Sequence, residues 1–116
     1  MNGTRTVTAS VVLAERLPAG DHTARIAVED VSRADAPATT IAQRVVRLTG
    51  PMEAGDRFTV ELPVPEIDDH ASYIVRVHID SSGSGDVTIG DRITTRSYPV
   101  LTRGAPDHID VEVVQI

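Results

Sequence analysis

Cysteine, lysine and tryptophan are absent from the 116 residues, and the only aromatic residues are Phe58, Tyr73 and Tyr98. Without cysteine the chain holds no disulfide of its own, no cysteine-bound zinc or iron–sulfur cluster, and no thiol nucleophile. With so few aromatic rings it offers no stacking platform for a base or a sugar, and its core must be built from Val, Ile, Leu and Ala. No apolar run approaches the length of a membrane-spanning helix. Met1 through Ala9 lack an apolar stretch of about 7–15 residues followed by a small-residue cleavage site. As written, the sequence is expected to be a soluble cytoplasmic protein; the alternative is a mature cell-envelope domain whose export signal has been removed.

All 11 basic residues are arginine, set against 17 Asp and Glu, for a formal charge of -6. A net acidic surface repels polyanions, so no nucleic-acid partner is expected. A chain of this length makes one core, because domains of this size bury roughly two-thirds of their extended surface. Residues 1–116 are therefore expected to form a single domain.

What the sequence does contain is apolar/polar alternation of period two, the pattern of strands with one dry and one wet face. Thr4 to Leu13 sets Val7, Ala9, Val11 and Leu13 against Thr4, Thr6, Thr8 and Ser10. His22 to Val31 sets Ala24, Ile26 and Val28 against Thr23, Arg25, Ala27 and Glu29. Ile41 to Leu48 alternates less regularly, as a strand covered on both faces or containing a bulge would. Arg57 to Leu62 points Phe58, Val60 and Leu62 inward, and Pro63 and Pro65 are expected to end it. Tyr73 to Ile79 places Tyr73, Val75, Val77 and Ile79 on the dry face and leaves Arg76 and His78 wet.

Ser81 to Asp86 reads as a hairpin or surface loop. Val87 to Ile93 and Ser97 to Leu101 make two short strands, distorted or edge-placed by Gly90 and Pro99. His108 to Ile116 completes the set, with Ile109, Val111 and Val113 opposite Asp110 and Glu112. One helical turn fits between Arg33 and Thr40, bounded by Pro37. The expected fold is all-β, a single-domain sandwich of about seven or eight mostly antiparallel strands with little helix, a small barrel being the alternative.

No chemistry-bearing motif stands out, so no catalytic, cofactor-binding or metal-ligating residue is assigned and no cofactor is expected. Glu66-Ile67-Asp68-Asp69-His70 is the densest polar cluster, but it has neither calcium-loop nor zinc-protease spacing and reads as a solvated turn. Glu29 and Asp30 point to opposite faces of a strand. Asp30 is expected to accept backbone hydrogen bonds from the turn that begins at Ser32. His22, His78 and His108 carry no local sign of general-base chemistry. The glycines match neither phosphate-binding fingerprint. Thr94 to Gly104 combines an aromatic, a proline and two arginines around a short strand, and an edge of this composition can receive a partner strand.

Two blocks carry a family resemblance: Val28-Glu29-Asp30-Val31-Ser32-Arg33-Ala34-Asp35-Ala36-Pro37-Ala38-Thr39-Thr40-Ile41-Ala42 and Tyr98-Pro99-Val100-Leu101-Thr102-Arg103-Gly104. Glu15-Arg16-Leu17-Pro18, Glu61-Leu62-Pro63, Ile67 to His70 and Tyr73 to Ile79 extend it over nearly the whole chain. The chain resembles the YbaY/YscW family of small bacterial envelope lipoproteins and pilotin-like chaperones of type III secretion. That resemblance implies a compact β-sandwich without an enzymatic site. It also implies binding to an exported or membrane-associated protein partner. The sequence departs from the family in having neither an export signal nor a lipid-acceptor cysteine, so direct membrane insertion is not expected.

The leading expectation is a non-enzymatic accessory module that binds a protein or peptide of unknown identity through a sheet edge or face. Arg96, Tyr98, Val100 and Arg103 are the candidate binding residues. The alternatives are a homo-oligomer formed through a sheet face and, behind it, an enzyme with a loop-built site around Asp68, Asp69 and His70.

Overall fold

The alternating segments become eight strands: β1 (Arg5–Leu13), β2 (His22–Asp30), β3 (Thr39–Leu48), β4 (Arg57–Val64), β5 (Tyr73–Asp80), β6 (Arg92–Thr94), β7 (Pro99–Val100) and β8 (His108–Gln115). The computed structural model describes residues 5–116, and no helix occurs among them. Met1 to Thr4, including the Thr4 expected to open the first strand, lie outside the described residues.

The dry faces read from the alternation are the core. Val7, Ala9, Val11 and Leu13 of β1, Ala24, Ile26 and Val28 of β2, Val75, Val77 and Ile79 of β5, and Val111 and Val113 of β8 are all fully buried or nearly so. Burying an aliphatic side chain of this kind stabilises the fold by about 1.5–3 kcal/mol. Repetition along these four long strands therefore compensates for the shortage of aromatic residues.

Hydrogen bonding joins the strands into one sheet in the order β3-β2-β5-β6-β8-β1-β4, with β7 paired beside it to the start of β5. All neighbours are antiparallel except β1 and β8, which run parallel from Thr8↔His108 to Leu13↔Val113. The all-β expectation holds. The two facing layers are halves of a single sheet that curls until its terminal strands, β3 and β4, approach each other. It is nearly a closed barrel.

Local departures from the sequence reading have local causes. In β3 the register shifts between Val28↔Ala42 and Glu29↔Thr40, which leaves Ile41 as an extra residue without a partner. This bulge turns both Ile41 and Ala42 toward the core and accounts for the broken alternation. Pro63 does not end β4, which continues to Val64. The turn after β2 makes no helix; Ala36 N donates to Arg33 O at 3.4 Å, and β3 begins already at Thr39. The two short strands shrink to three residues in β6 and two in β7.

Candidate functional site: the open seam between β3 and β4

A barrel closes when its first and last strands pair, and here they do not. β3 is hydrogen-bonded on one side to β2, and β4 on one side to β1. Sheet order makes the facing strands antiparallel, so a seam runs between them with unpaired backbone edges on both sides.

Two residues along the seam disfavour strand pairing. Arg44 pairs with the fully buried Ile26 and therefore has the inward parity of its strand. Instead of entering the core, its Nη1 reaches across the seam and donates to the carbonyl oxygen of Glu61 at 3.3 Å. The second is Pro63. Because the Glu61 carbonyl faces the seam, and backbone groups two residues apart on a strand face the same way, the Pro63 nitrogen faces it too. That nitrogen has no hydrogen to donate. An inward-pointing charge and an edge proline both prevent strand pairing.

The floor of the seam mixes apolar and polar side chains. Arg44, Val46, Phe58, Thr59, Val60 and Glu61 line a depression of about 480 Å³. Toward the other end, Ile41, Pro65, Glu66, Ile67, Asp68 and Tyr73 line one of about 630 Å³. Ile41, Val46, Phe58 and Ile67 are only partly buried while packing on the core. Exposed Arg44 and Glu61 line one depression, and exposed Glu66 and Asp68 line the other. An arrangement of this kind can take an extended or amphipathic segment of another chain, through backbone pairing at the edges and apolar burial at the floor.

The residues singled out from sequence lie elsewhere, where β7 fills the gap beside β5. Val100 is fully buried. Tyr98 packs against the core, and its hydroxyl accepts from Glu112 N at 3.1 Å. Arg103 donates to the carbonyl oxygen of His70 at 2.9 Å, and Arg96 is exposed. Ser72, Tyr73, Ile74, Pro99, Thr102, Arg103 and Ala105 line a smaller depression of about 270 Å³ there.

Of the polar clusters, Asp68 and His70 form a turn: His70 N donates to Asp68 Oδ1 at 2.9 Å, and Asp68 N donates to the Tyr73 hydroxyl at 2.9 Å. Asp30 accepts from Ser32 N, as expected, and from the Ser32 hydroxyl, which together hold its carboxyl below the ordinary value. Buried His22 lies between Ser81 Oγ at 2.8 Å and Pro18 O at 2.9 Å. His78 Nε2 lies 2.8 Å from Asp91 Oδ2. Burial raises the Asp91 pKa, but its hydrogen bonds from His78, Ser81 N and Thr88 N outweigh that effect and leave it lowered. Backbone N–H groups, that of Gly85 foremost, hold Asp80 down to about 2.

Sequence reading missed Arg44 and Pro63 as a pair. The available signal was an arginine in the apolar set Ala42, Val46 and Leu48. What it lacked was any indication that β3 and β4, neighbours in sequence, would meet only as the two edges of the sheet.

Comparison with known proteins identifies the family. Residues 2–113 match the family of type III secretion system lipoprotein chaperones (YscW). No match is found among curated proteins. Among solved structures the chain is similar to an alternative pilotin from the type II secretion system of Vibrio cholerae, at 28% identity, 97% coverage of each chain and a TM-score of 0.77. Because the matched family consists of lipoproteins, the expected cytoplasmic location is corrected to the cell envelope. The sequence reading erred by giving weight to a missing leader; where a given sequence begins does not decide where its protein resides.

Proposed function

The chain belongs to the family of type III secretion system lipoprotein chaperones (YscW), and from that premise we propose that it holds a segment of a secretion-system protein in the seam between β3 and β4. Membership supports a non-enzymatic, protein-binding accessory role. Residues 1–116 act as one unit in this reading. The carrying observation is the pair of unpaired edges, guarded by Arg44 and Pro63, over a floor to which Val46, Phe58, Ile41 and Ile67 contribute apolar surface. A bound segment replaces the single Arg44 contact with backbone bonds and covers Val46 and Phe58. Basic groups of the segment lie toward Glu66 and Asp68.

The depression beside Pro99 and Arg103 is the second reading, favoured by its apolar lining and the exposed Arg96 nearby. In-cell photocrosslinking separates the two. With benzoylphenylalanine at Val46 or Thr59, the expected result is one crosslinked partner, lost when Arg44→Glu is added. Crosslinks from Arg96 and Arg103 with none from Val46 or Thr59 would overturn the seam in favour of the second surface.

A further inference from the structure

The arginines of this chain are unevenly compensated. Among the described residues Arg5, Arg16, Arg57 and Arg76 each meet a carboxylate, whereas Arg25 and Arg47 form no ion pair. These two lie together. The β2–β3 register sets Arg25 opposite Val45 and Thr23 opposite Arg47, which makes the arginines diagonal neighbours on the outward face, with Cα atoms about 7–8 Å apart. Like charges at that spacing repel, and β3, which reads T-T-I-A-Q-R-V-V-R-L, supplies no acid to offset them.

The acids nearest in the ladder are already engaged. Glu29 holds Arg76 at 2.8 Å, and Asp91 bonds His78, the residue opposite Arg25 on β5. Asp80, opposite Thr23 on β5, is buried, and its carboxylate accepts from the N–H groups of Ser82, Gly83 and Gly85. Arg25 finds one carbonyl oxygen, that of Gly85, at 3.4 Å. In a chain of net charge -6 this corner is a local excess of positive charge.

A second observation falls at the same place. Of the large apolar side chains exposed among the described residues, Val45 alone lies within a strand, and it is 53% exposed. It stands between Gln43 and Arg47 on the outward face of β3 and beside Arg25 across the ladder. An aliphatic centre with an arginine and polar rim has the composition of a protein-binding patch.

We propose that the outward face of β2 and β3 binds an acidic segment of the protein partner, with an aliphatic side chain covering Val45 and Asp or Glu carboxylates taking Arg25 and Arg47. A carboxylate matches the planar guanidinium fork bidentately. The proposal rests on the seam reading for which partner this is. Arg44 and Val46, which line the seam, alternate along β3 with Val45 and Arg47, so one chain crossing the free edge of β3 reaches both surfaces. An anionic membrane is disfavoured as occupant, because such surfaces are recognised by clusters of about 4–8 basic residues and repel a chain of net charge -6. A second copy is disfavoured by the same net charge, although Glu61 and Glu112 face outward on β4 and β8.

The test places benzoylphenylalanine at Gln43 of the full chain in cells and maps the crosslinked peptide by mass spectrometry. Expected is a protein adduct whose residues flanking the attachment point carry net negative charge. Arg25→Glu with Arg47→Glu lowers its yield about tenfold or more, while Arg25→Lys with Arg47→Lys keeps part of it. Thermal unfolding of both variants reports that they are folded. A neutral or basic flank, a lipid adduct, a crosslink to a second copy, or a yield indifferent to charge reversal would each overturn the proposal. So would silence at Gln43, and crosslinks from Val46 or Thr59 would then leave the seam reading standing. An acidic-flank adduct from Gln43 with none from Val46 or Thr59 keeps this surface and sinks the seam instead.

Discussion

At the scale of single residues, stability depends on where a few polar groups find donors. Asp80 is the sharpest case: four hydrogen bonds to its carboxylate from the Ser82 to Gly85 segment hold its pKa at about 2, against an ordinary 3.8. A carboxylate with a depressed folded pKa contributes stability that is fully present above its unfolded pKa and is lost as pH falls through the folded one. The contribution of Asp80 is therefore complete above about pH 4 and declines toward pH 2. Urea unfolding midpoints across that window are expected to fall less steeply in Asp80→Asn than in the parent chain. Parallel curves would mean that the carboxylate does not carry this pH dependence. Arg44 belongs to the same scale, since one inward-parity charge decides whether the β3 edge is sticky or guarded.

At the scale of elements, β3 and β4 are strands with one partner each, and their edges are controlled by different devices. The Ile41 bulge rotates the start of β3, so that consecutive residues face the core and the depression near Pro65 opens beside them. β4 keeps a regular register with β1 over its whole length and gives up a single donor at Pro63 on its free side. Replacing both guards, as Arg44→Val with Pro63→Val, leaves two apolar edges able to pair. The expected outcome is concentration-dependent self-association, with an apparent mass rising at least twofold in sedimentation or light scattering. A double variant that stays monomeric at all concentrations would show that the seam is held open by something other than these two residues.

At the scale of the whole molecule, the sheet is assembled from the two ends of the chain. β1 lies between β4 and β8, and the parallel β1–β8 ladder joins residues about a hundred positions apart. Pairings of such sequence separation make folding slow, with expected times of milliseconds to seconds in stopped-flow measurements. A chain ending before His108 strips β1 and β6 of a partner and uncovers the core at Val11, and it is expected to lose cooperative unfolding altogether. A sharp thermal transition in that truncated chain would refute the closing role of β8. The β5–β6 loop and the seam are separate features of this one sheet, formed respectively by a sequence-local turn and by distant edges.

The sequence by itself determined the strands, their inward faces and the all-β class, because side-chain parity within a strand is a local property that any alternating run displays. It determined Asp30 as the acceptor of its own turn for the same reason. Resemblance over long blocks pointed to the family, which the match to residues 2–113 bears out. Tertiary structure alone decided that the layers are one curled sheet and that β3 and β4 face each other unpaired. It also turned Arg44 across the gap to the Glu61 carbonyl rather than into the core. Those facts depend on the order in which strands pair, and pairing order arises from contacts between segments that no local pattern encodes.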